Sequence, residues 1–208
     1  MFLRKPVSEH FIAKRVKLFG VGINDATYAT QPSIRGKPHT CPFYRAWANM
    51  ICRCYNPKYY SSHTYDKCEV VEEWHRFSVF STWMATQDWF GKQLDKDLMD
   101  PLNTVYGPDS CIFIPRQINT LILTCKGSRG EYPLGVSFHK ASGKFSAALS
   151  IEGARNNLGT FDTPEEAAQA YRQAKHNHIA IIAQQQTDPR IRDGLMLHAV
   201  RFLNGEAE

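Results

Sequence analysis

The sequence lacks any apolar run approaching the ~20 residues that a membrane-spanning helix needs. It also lacks, near its start, the uninterrupted apolar core that is typical of a secretory signal peptide. These two absences argue against a membrane-embedded or secreted protein. We therefore expect a cytoplasmic protein with no membrane partner.

The six cysteines never occur in the C-x-x-C spacing that makes a zinc knuckle recognisable. Disulfides are rare in cytoplasmic proteins, so these residues are expected to be free thiols or metal ligands. Cys54, Cys68 and Cys111 fall within one aromatic-rich stretch, where two interpretations stand side by side. They hold a structural Zn²⁺, with Cys41 or His63 as the fourth ligand, or they are buried thiols of the core.

Excess positive charge is absent beyond the first 40 residues. The formal net charge of +5 lies entirely within residues 1–40, and the rest of the chain is balanced. This segment is also rich in glycine and proline and has no long apolar period, which predicts an irregular basic arm. Lysines and arginines in such an arm suit nucleic-acid phosphates, and a solvated tail is the alternative.

The clearest pattern in the chain lies at residues 134–175, where three short strands precede a helix. Val136 and Phe138 alternate with Ser137 and His139, and a similar alternation runs through residues 144–150. In a strand, successive side chains point to opposite faces. The predicted sheet therefore has one apolar face and one small, polar and basic face.

The predicted helix after these strands has a strong start signal. Thr163 is a suitable N-cap, Pro164 occupies the first helical position, and Glu166 completes a capping box. The apolar side of this helix is predicted to cover the apolar sheet face. That side consists of Ala167, Ala170, Tyr171, Ala174 and Ile181.

The motif LGTFDTPEEAAQAY at 158–171, with GV at 135–136 and KF at 144–145, resembles the integrase-type DNA-binding domain of the plant ethylene-response-factor (APETALA) family. The resemblance implies that the uncovered sheet face enters the major groove of DNA. A small sheet-and-helix module without a nucleic-acid partner is the alternative. The candidate DNA contacts are Ser137, His139, Lys140, Lys144, Ser146, Arg155 and Asn157.

Aromatic residues recur at helical spacing in the middle of the chain. They predict one helix over residues 43–51, ending before Pro57, and a second over residues 72–83. We interpret these aromatics as core residues and not as a platform for stacking bases.

Residues 94–119 show the order strand, loop, strand, helix. Residues 94–96 end a strand, residues 101–109 are rich in turn formers, and residues 111–114 read as a second short strand. Pro115 then opens a helix that carries Asn119.

This order resembles the ββα-metal finger of HNH endonucleases. The wider stretch, with RCYNP at 53–57, LDKD at 94–97 and YGPDSC at 106–111, resembles bacteriophage HNH-type proteins, some of which carry a similar sheet module. The resemblance implies that Asp95 and Asn119 bind Mg²⁺ or Mn²⁺, and that double-stranded DNA is the substrate. Oxygen ligands suit these cations.

Lys96 stands where the related finger carries a histidine that acts as the base. A lysine has a reference pKa of ~10.4 and stays charged unless it is desolvated, so it is a poor proton acceptor. Lys96 is instead predicted to stabilise charge on the phosphate. The proton acceptor is then water activated by the metal, Asp97, or a histidine such as His63 or His75.

Together these patterns predict an α+β protein with a basic arm (1–40), an HNH-like nuclease domain (41–126), a DNA-binding sheet domain (127–185) and a C-terminal helix (186–208). The predicted function is that of a phage-type homing or nicking DNA endonuclease in the cytoplasm of the bacterial host. Asp95, Lys96 and Asn119 are its candidate catalytic residues. The alternatives are a DNA-binding regulator without cleavage and a module that binds another protein. The target sequence and the oligomeric state stay open.

Overall fold

The computed structural model of the protein describes residue 2 and residues 4–60, 67–123 and 131–206. The chain divides into two compact units, Met1–Arg116 and Gln117–Glu208. Helices and strands occur in both units, which confirms the predicted α+β class. Within the described ranges, no helix is both long enough and apolar enough to cross a membrane.

The first unit combines helices with three short two-stranded pairings. β1 pairs with β2 and β4 with β6 in antiparallel fashion, whereas β3 and β5 are parallel. The helix α5 begins at the final residue of this unit, and its remaining residues belong to the second unit. The helices are α1 (Glu9–Ala13), α2 (Pro42–Tyr55), α3 (Pro57–Tyr60), a 3-10 helix (Glu72–His75), α4 (Phe77–Ala85) and α5 (Arg116–Ile122). The strands are β1 (Ser33–Ile34), β2 (Lys37–Pro38), β3 (Glu69–Val70), β4 (Gln93–Asp95), β5 (Val105–Tyr106) and β6 (Ile112–Ile114).

The helix α2 forms the centre of the first core. Pro42 occupies its first turn, and the helix ends before Pro57, as the sequence predicts. Its buried side includes Trp47, whose indole nitrogen donates a hydrogen bond to the backbone oxygen of Trp74 at 2.7 Å. The predicted role of the aromatics as core residues is thereby confirmed for this helix.

The prediction of one continuous helix over residues 72–83 is wrong at Arg76. Arg76 has extended backbone angles and separates the 3-10 helix from α4. The helix breaks here because the distant residue Ile23 forms backbone hydrogen bonds to the residues on either side of Arg76. The Ile23 backbone nitrogen donates to His75 O at 2.7 Å, and its carbonyl accepts from Phe77 N at 3.0 Å. These bonds replace the helical ones that the sequence pattern alone predicts.

The N-terminal segment belongs to the first compact unit. The Arg15 guanidinium donates hydrogen bonds to the backbone oxygens of Asn24, Ala26 and Tyr28 at 2.6–2.9 Å. Tyr28 and Leu18 pack against the hydrophobic core. Arg15 is therefore not available for the phosphate contacts predicted for the basic arm, because its guanidinium donates hydrogen bonds within the protein.

The second unit contains a three-stranded antiparallel sheet and two long helices. The strands follow one another in the order β7-β8-β9. The capping box at Thr163 is confirmed, since its hydroxyl accepts from Glu166 N at 3.3 Å and its own N–H donates to the Glu166 carboxylate at 3.2 Å. The elements are β7 (Val136–His139), β8 (Lys144–Ile151), β9 (Ala154–Phe161), α6 (Pro164–Gln184) and α7 (Pro189–Leu203).

The helix α6 covers the apolar sheet face, as predicted, and Ala147 and Tyr171 are buried there. Gly135 lies directly under the Tyr171 ring, where an added Cβ would come within 2.0 Å of a ring carbon. Its φ of +77° also suits glycine. The prediction that Ile181 faces the sheet is wrong. Its side chain is 56% exposed, because the last turns of this 21-residue helix extend past the sheet-facing core.

Candidate functional site

The predicted metal finger begins with an antiparallel ribbon of two strands. In this ribbon β4 pairs with β6, so Asp95 lies opposite Ile112 and Leu94 opposite Phe113. The helix α5 follows β6 after Pro115. The predicted order of strand, loop, strand and helix is therefore present, with the short strand β5 as an addition within the loop.

The carboxylate of Asp95 is held by the turn that follows β4. Its Oδ1 accepts hydrogen bonds from Asp97 N at 3.0 Å and Leu98 N at 2.7 Å. In the described ranges every fully buried side-chain oxygen has a hydrogen-bond partner. No hydrogen bond from the other described residues reaches the Asp95 Oδ2, and 7% of the residue's surface is exposed. One oxygen thus fixes the side chain at the end of β4.

Burial raises the pKa of Asp95 above its ordinary value, and the nearby charge of Asp97 raises it further. The two backbone hydrogen bonds oppose this shift but do not cancel it. A buried carboxylate that resists ionisation gains stability from a bound cation. The environment of Asp95 therefore favours a positively charged partner.

Lys96 lies inside the loop and not on the surface. Its ammonium donates hydrogen bonds to the Asp97 carboxylate and, at 2.9 Å, to the Asn103 backbone oxygen. Burial acts to lower the pKa of Lys96, yet the hydrogen bond and charge of Asp97 outweigh it and raise the pKa above its ordinary value. Lys96 therefore stays charged, as the sequence predicts. Its predicted role in stabilising charge on the phosphate stays a prediction.

Asn103 holds the same loop and has no counterpart among the predicted site residues. Its amide nitrogen donates to Lys96 O at 2.9 Å and to Val105 O at 2.8 Å, and its Oδ1 accepts from Val105 N at 3.0 Å. The only sequence signal is an asparagine in a turn-rich stretch, which rarely identifies a partner. Asn103 and Lys96 together fix the turn that orients Asp95.

Asn119, the other predicted metal ligand, lies on α5 and is half-buried. It belongs to the compact unit that starts at Gln117, whereas Asp95 belongs to the unit that ends at Arg116. Its assignment as a ligand stays a prediction.

Of the two histidines considered as bases, His63 lies outside the described residues. The Nε2 of His75 contacts the Val70 backbone oxygen at 3.1 Å and the Tyr55 hydroxyl at 3.3 Å. The same hydroxyl accepts from Val70 N at 3.1 Å. His75 therefore links β3 to α2, which gives it a structural role.

The three cysteines of the zinc hypothesis lie in the core of the first unit. Cys54, Cys68 and Cys111 are all buried among its hydrophobic residues. Burial raises the pKa of Cys54 and of Cys111 to about 12, so both are thiols at neutral pH in the metal-free protein. Among the described residues, no group of three or more histidine, cysteine, aspartate or glutamate side chains is placed to hold a metal. The buried-thiol interpretation agrees with these observations, and the zinc site stays a prediction.

In the second unit the uncovered sheet face carries the predicted polar residues. Ser137 pairs with Ser146 across the strands, and their hydroxyl oxygens are 2.9 Å apart. The Arg155 guanidinium reaches the Ser137 hydroxyl at 3.5 Å. Small side chains at the centre of this face leave room for the close approach of a partner.

The remaining predicted contacts lie around this centre. His139 is exposed opposite Lys144, and Lys140 is exposed in the turn after β7. The Lys144 ammonium forms an ion pair with Asp162 at 2.9 Å, which raises the pKa of the lysine. Asn157 is exposed, and its Oδ1 accepts from Gly159 N at 3.1 Å beside an irregularity in the pairing of β8 with β9. The charge of Lys144 is thus partly compensated, a feature that the sequence pattern did not predict.

Comparisons with models of known protein families, with curated proteins and with solved structures find no match. The functional argument therefore depends on the residues and geometry described above.

Proposed function

We propose that the chain is a divalent-metal-dependent DNA endonuclease of the HNH type. The observation that carries this proposal is the state of the Asp95 carboxylate. Its Oδ1 is fixed by two backbone donors at the end of a two-stranded ribbon, while no described residue donates a hydrogen bond to its Oδ2. A fixed oxygen donor on a rigid strand is what an Mg²⁺ or Mn²⁺ site with few protein ligands requires.

The donor set suits a hard cation. An aspartate oxygen as the protein ligand leaves coordination positions for water and for a DNA phosphate. A cation bound there would polarise the scissile phosphate and lower the pKa of an attacking water.

The contacts of the nearby side chains limit which residue can accept the proton from the attacking water. Lys96 is charged and engaged in two hydrogen bonds, and His75 is engaged in the core. Asp97 keeps 44% of its side chain exposed and is held in place by Lys96. Asp97 is therefore the residue that we assign as proton acceptor among the described alternatives.

The sheet of the second unit would position the DNA. Its open face is polar, carries Arg155 and has small residues at its centre. Such a face suits contact with the DNA backbone more than readout of many bases, because it holds few long side chains. The predicted division of labour is cleavage by the finger and placement by the sheet.

A change at Arg155 should matter more for DNA binding than the same change at Lys144. Arg155→Ala should weaken binding and reduce the slope of log affinity against log salt by about one, as expected for one lost phosphate contact. Lys144→Ala should reduce that slope by less, because Asp162 already neutralises part of its charge. Titrations of labelled duplex DNA at several salt concentrations measure both slopes. Equal slopes for both variants and the native chain would mean that this face does not contact DNA.

The raised pKa of Asp95 predicts a specific dependence on pH. The folded state favours the protonated carboxyl, so without metal this group's contribution to stability is present at low pH and is lost as the pH rises through the raised pKa. Mg²⁺ binds the ionised form, so it should stabilise the protein only above that pKa. Melting temperatures measured against pH, with Mg²⁺ and with EDTA, should therefore diverge as the pH rises. The divergence should be absent in Asp95→Asn.

A supercoiled plasmid that carries a verified binding site tests the proposed function. The native chain should convert it to nicked or linear DNA with Mg²⁺ or Mn²⁺ and leave it intact with EDTA. Nicked circles alone would identify a nicking enzyme, and linear product formed without prior nicking would identify double-strand cleavage. Tight binding with no cleavage under either metal would overturn the proposal.

The second candidate is a DNA-binding protein that does not cleave. It is favoured by the placement of Lys96, which occupies the base position of the related finger and is locked inside the loop. In that case the sheet mutations should weaken binding, and no metal should produce cleavage.

A further inference from the structure

A cleft of about 320 Å³ opens in the first unit beside the ribbon of β4 and β6. Its walls come from α2, from the end of α4, and from the segment that leads into β4. Its volume falls at the low end of the roughly 300–1,000 Å³ range of small-ligand pockets. A ligand of the size of one nucleotide suits it, whereas a DNA duplex is too wide to enter.

The rim of the cleft is basic. Arg45, Asn49 and Arg53 line it from α2, and their four-residue spacing places them on one side of that helix. Lys92 adds a third cation from the opposite wall. None of the described residues that line the cleft is acidic. The Lys92 ammonium is partly compensated by Asp88, whose carboxylate lies 2.6 Å away and whose side chain is 83% exposed.

The floor of the cleft is apolar. Met50, Met84 and Phe113 contribute buried side chains to it. Trp89 adds a half-buried indole, which packs edge-on against Phe43 with ring centroids 4.9 Å apart. Arginines bind phosphate through paired donors, and aromatic and apolar surfaces accept the faces of unstacked bases. A basic rim over an apolar floor therefore matches a phosphate joined to a sugar and a base.

The cleft is distinct from the proposed metal ligand. Leu94 and Phe113 form a cross-strand pair and both line the cleft. Asp95 is not among the described residues that line the cleft. Its carboxylate is held by the turn after β4. A ligand in the cleft would thus contact residues other than Asp95.

We propose that this cleft binds one nucleotide unit of a single DNA strand. Its phosphodiester lies against Arg45 and Arg53, and its base lies against Trp89 and the methionines. This assignment rests on the proposed function, because that function makes DNA the ligand. It adds a site for an unpaired nucleotide, which the metal finger and the sheet do not provide.

The test uses the full chain in EDTA, so that no cleavage occurs. The probe is a short oligo(dT) strand, and the signal is tryptophan fluorescence, with Trp89→Phe identifying the part that comes from the cleft. Oligo(dT) should quench that signal. Arg45→Gln combined with Arg53→Gln should weaken this binding by about tenfold per arginine and lower the salt slope by about 0.7, because one phosphate contact of a single strand is lost. The matched control, Lys67→Gln with Arg76→Gln, removes the same charge from exposed positions of the same unit outside the cleft and the basic arm.

Equal affinities of the two double variants, with both folded by circular dichroism, would overturn the proposal. So would quenching by free thymidine monophosphate without quenching by oligo(dT), or stronger quenching by a blunt duplex than by the single strand.

Asp95→Asn separates this site from the metal site, since it should abolish cleavage and leave the quenching unchanged. Loss of quenching in the arginine variant while a native metal-dependent activity persists would support the cleft as a separate site. Absence of cleavage in the native chain, with quenching intact, would leave the cleft supported and the nuclease proposal refuted.

Discussion

Asp95→Asn should reduce metal-dependent plasmid cleavage by at least about a hundredfold. Even the residues that orient a metal ligand typically affect metal affinity or activity by about 10–100-fold, and a direct ligand should matter at least as much. The amide oxygen of asparagine is still able to accept from Asp97 N and Leu98 N, so the turn should persist. The change removes the negative charge that favours the cation. The melting temperature should therefore stay close to that of the native chain while cleavage is lost.

Two further variants make this result specific. Asp109→Asn removes the same charge from an exposed position in the loop between β5 and β6 and should retain native cleavage. Asp95→Ala removes the turn hydrogen bonds as well as the ligand, so it should lose cleavage and also destabilise the first unit by roughly 1–3 kcal/mol. Native-like cleavage by Asp95→Asn would show that its carboxylate serves only the turn.

Gly135→Ala should destabilise the second unit by about 3 kcal/mol, which combines backbone strain at positive φ with overpacking. An alanine Cβ would lie 2.0 Å from a carbon of the Tyr171 ring, and the φ of +77° is unfavourable for alanine. The ring is buried between α6 and the sheet, so it has little room to move. For a unit of this size the melting temperature should fall by roughly 10–20 °C. Differential scanning calorimetry of the full chain measures this change.

Gly143→Ala is the matched control for that experiment. Its φ is +67°, but nothing lies within 4 Å of the added Cβ. It should therefore show only the backbone cost of about 1–2 kcal/mol. Equal losses for the two variants would mean that the contact between Gly135 and Tyr171 does not limit packing in this unit.

The sequence predicted the second unit well because its signals are local. Strand alternation and the Thr163 capping box each depend on neighbouring residues, and both appear in the structure. Ile181 shows the limit of this reasoning. Helical spacing places a residue on one side of α6, but it does not say how far along the helix the sheet extends.

The first unit was harder to predict because distant segments decide its details. The order of elements from Gln93 to Ile122 follows from local apolar runs and from Pro115. The break at Arg76 follows from hydrogen bonds to Ile23, which lies over 50 residues away in the sequence. The local periodicity of apolar residues does not indicate a contact between residues so far apart in the sequence.

The candidate sites also combine features that local sequence patterns predict with features that depend on distant residues. The sequence singled out Asp95. The groups that orient it are the turn amides and the loop hydrogen bonds of Asn103, and the sequence does not indicate these contacts. The compensation of Lys144 by Asp162 also depends on pairing across strands. The cleft lined by Arg45 and Arg53 was not predicted at all, because its walls come from segments that are separate in the sequence.

Binding of Mn²⁺, followed by electron paramagnetic resonance on the metal-free chain, is the most direct measurement of a cation at Asp95. The native chain should bind one Mn²⁺ that Mg²⁺ displaces, and this binding should be lost in Asp95→Asn, weakened in Asn119→Ala and retained in Asp109→Asn. Binding should also weaken as the pH falls through the raised pKa of Asp95, because protons then compete with the metal. Native affinity for Mn²⁺ in Asp95→Asn, or no binding by the native chain, would contradict a metal site at this carboxylate.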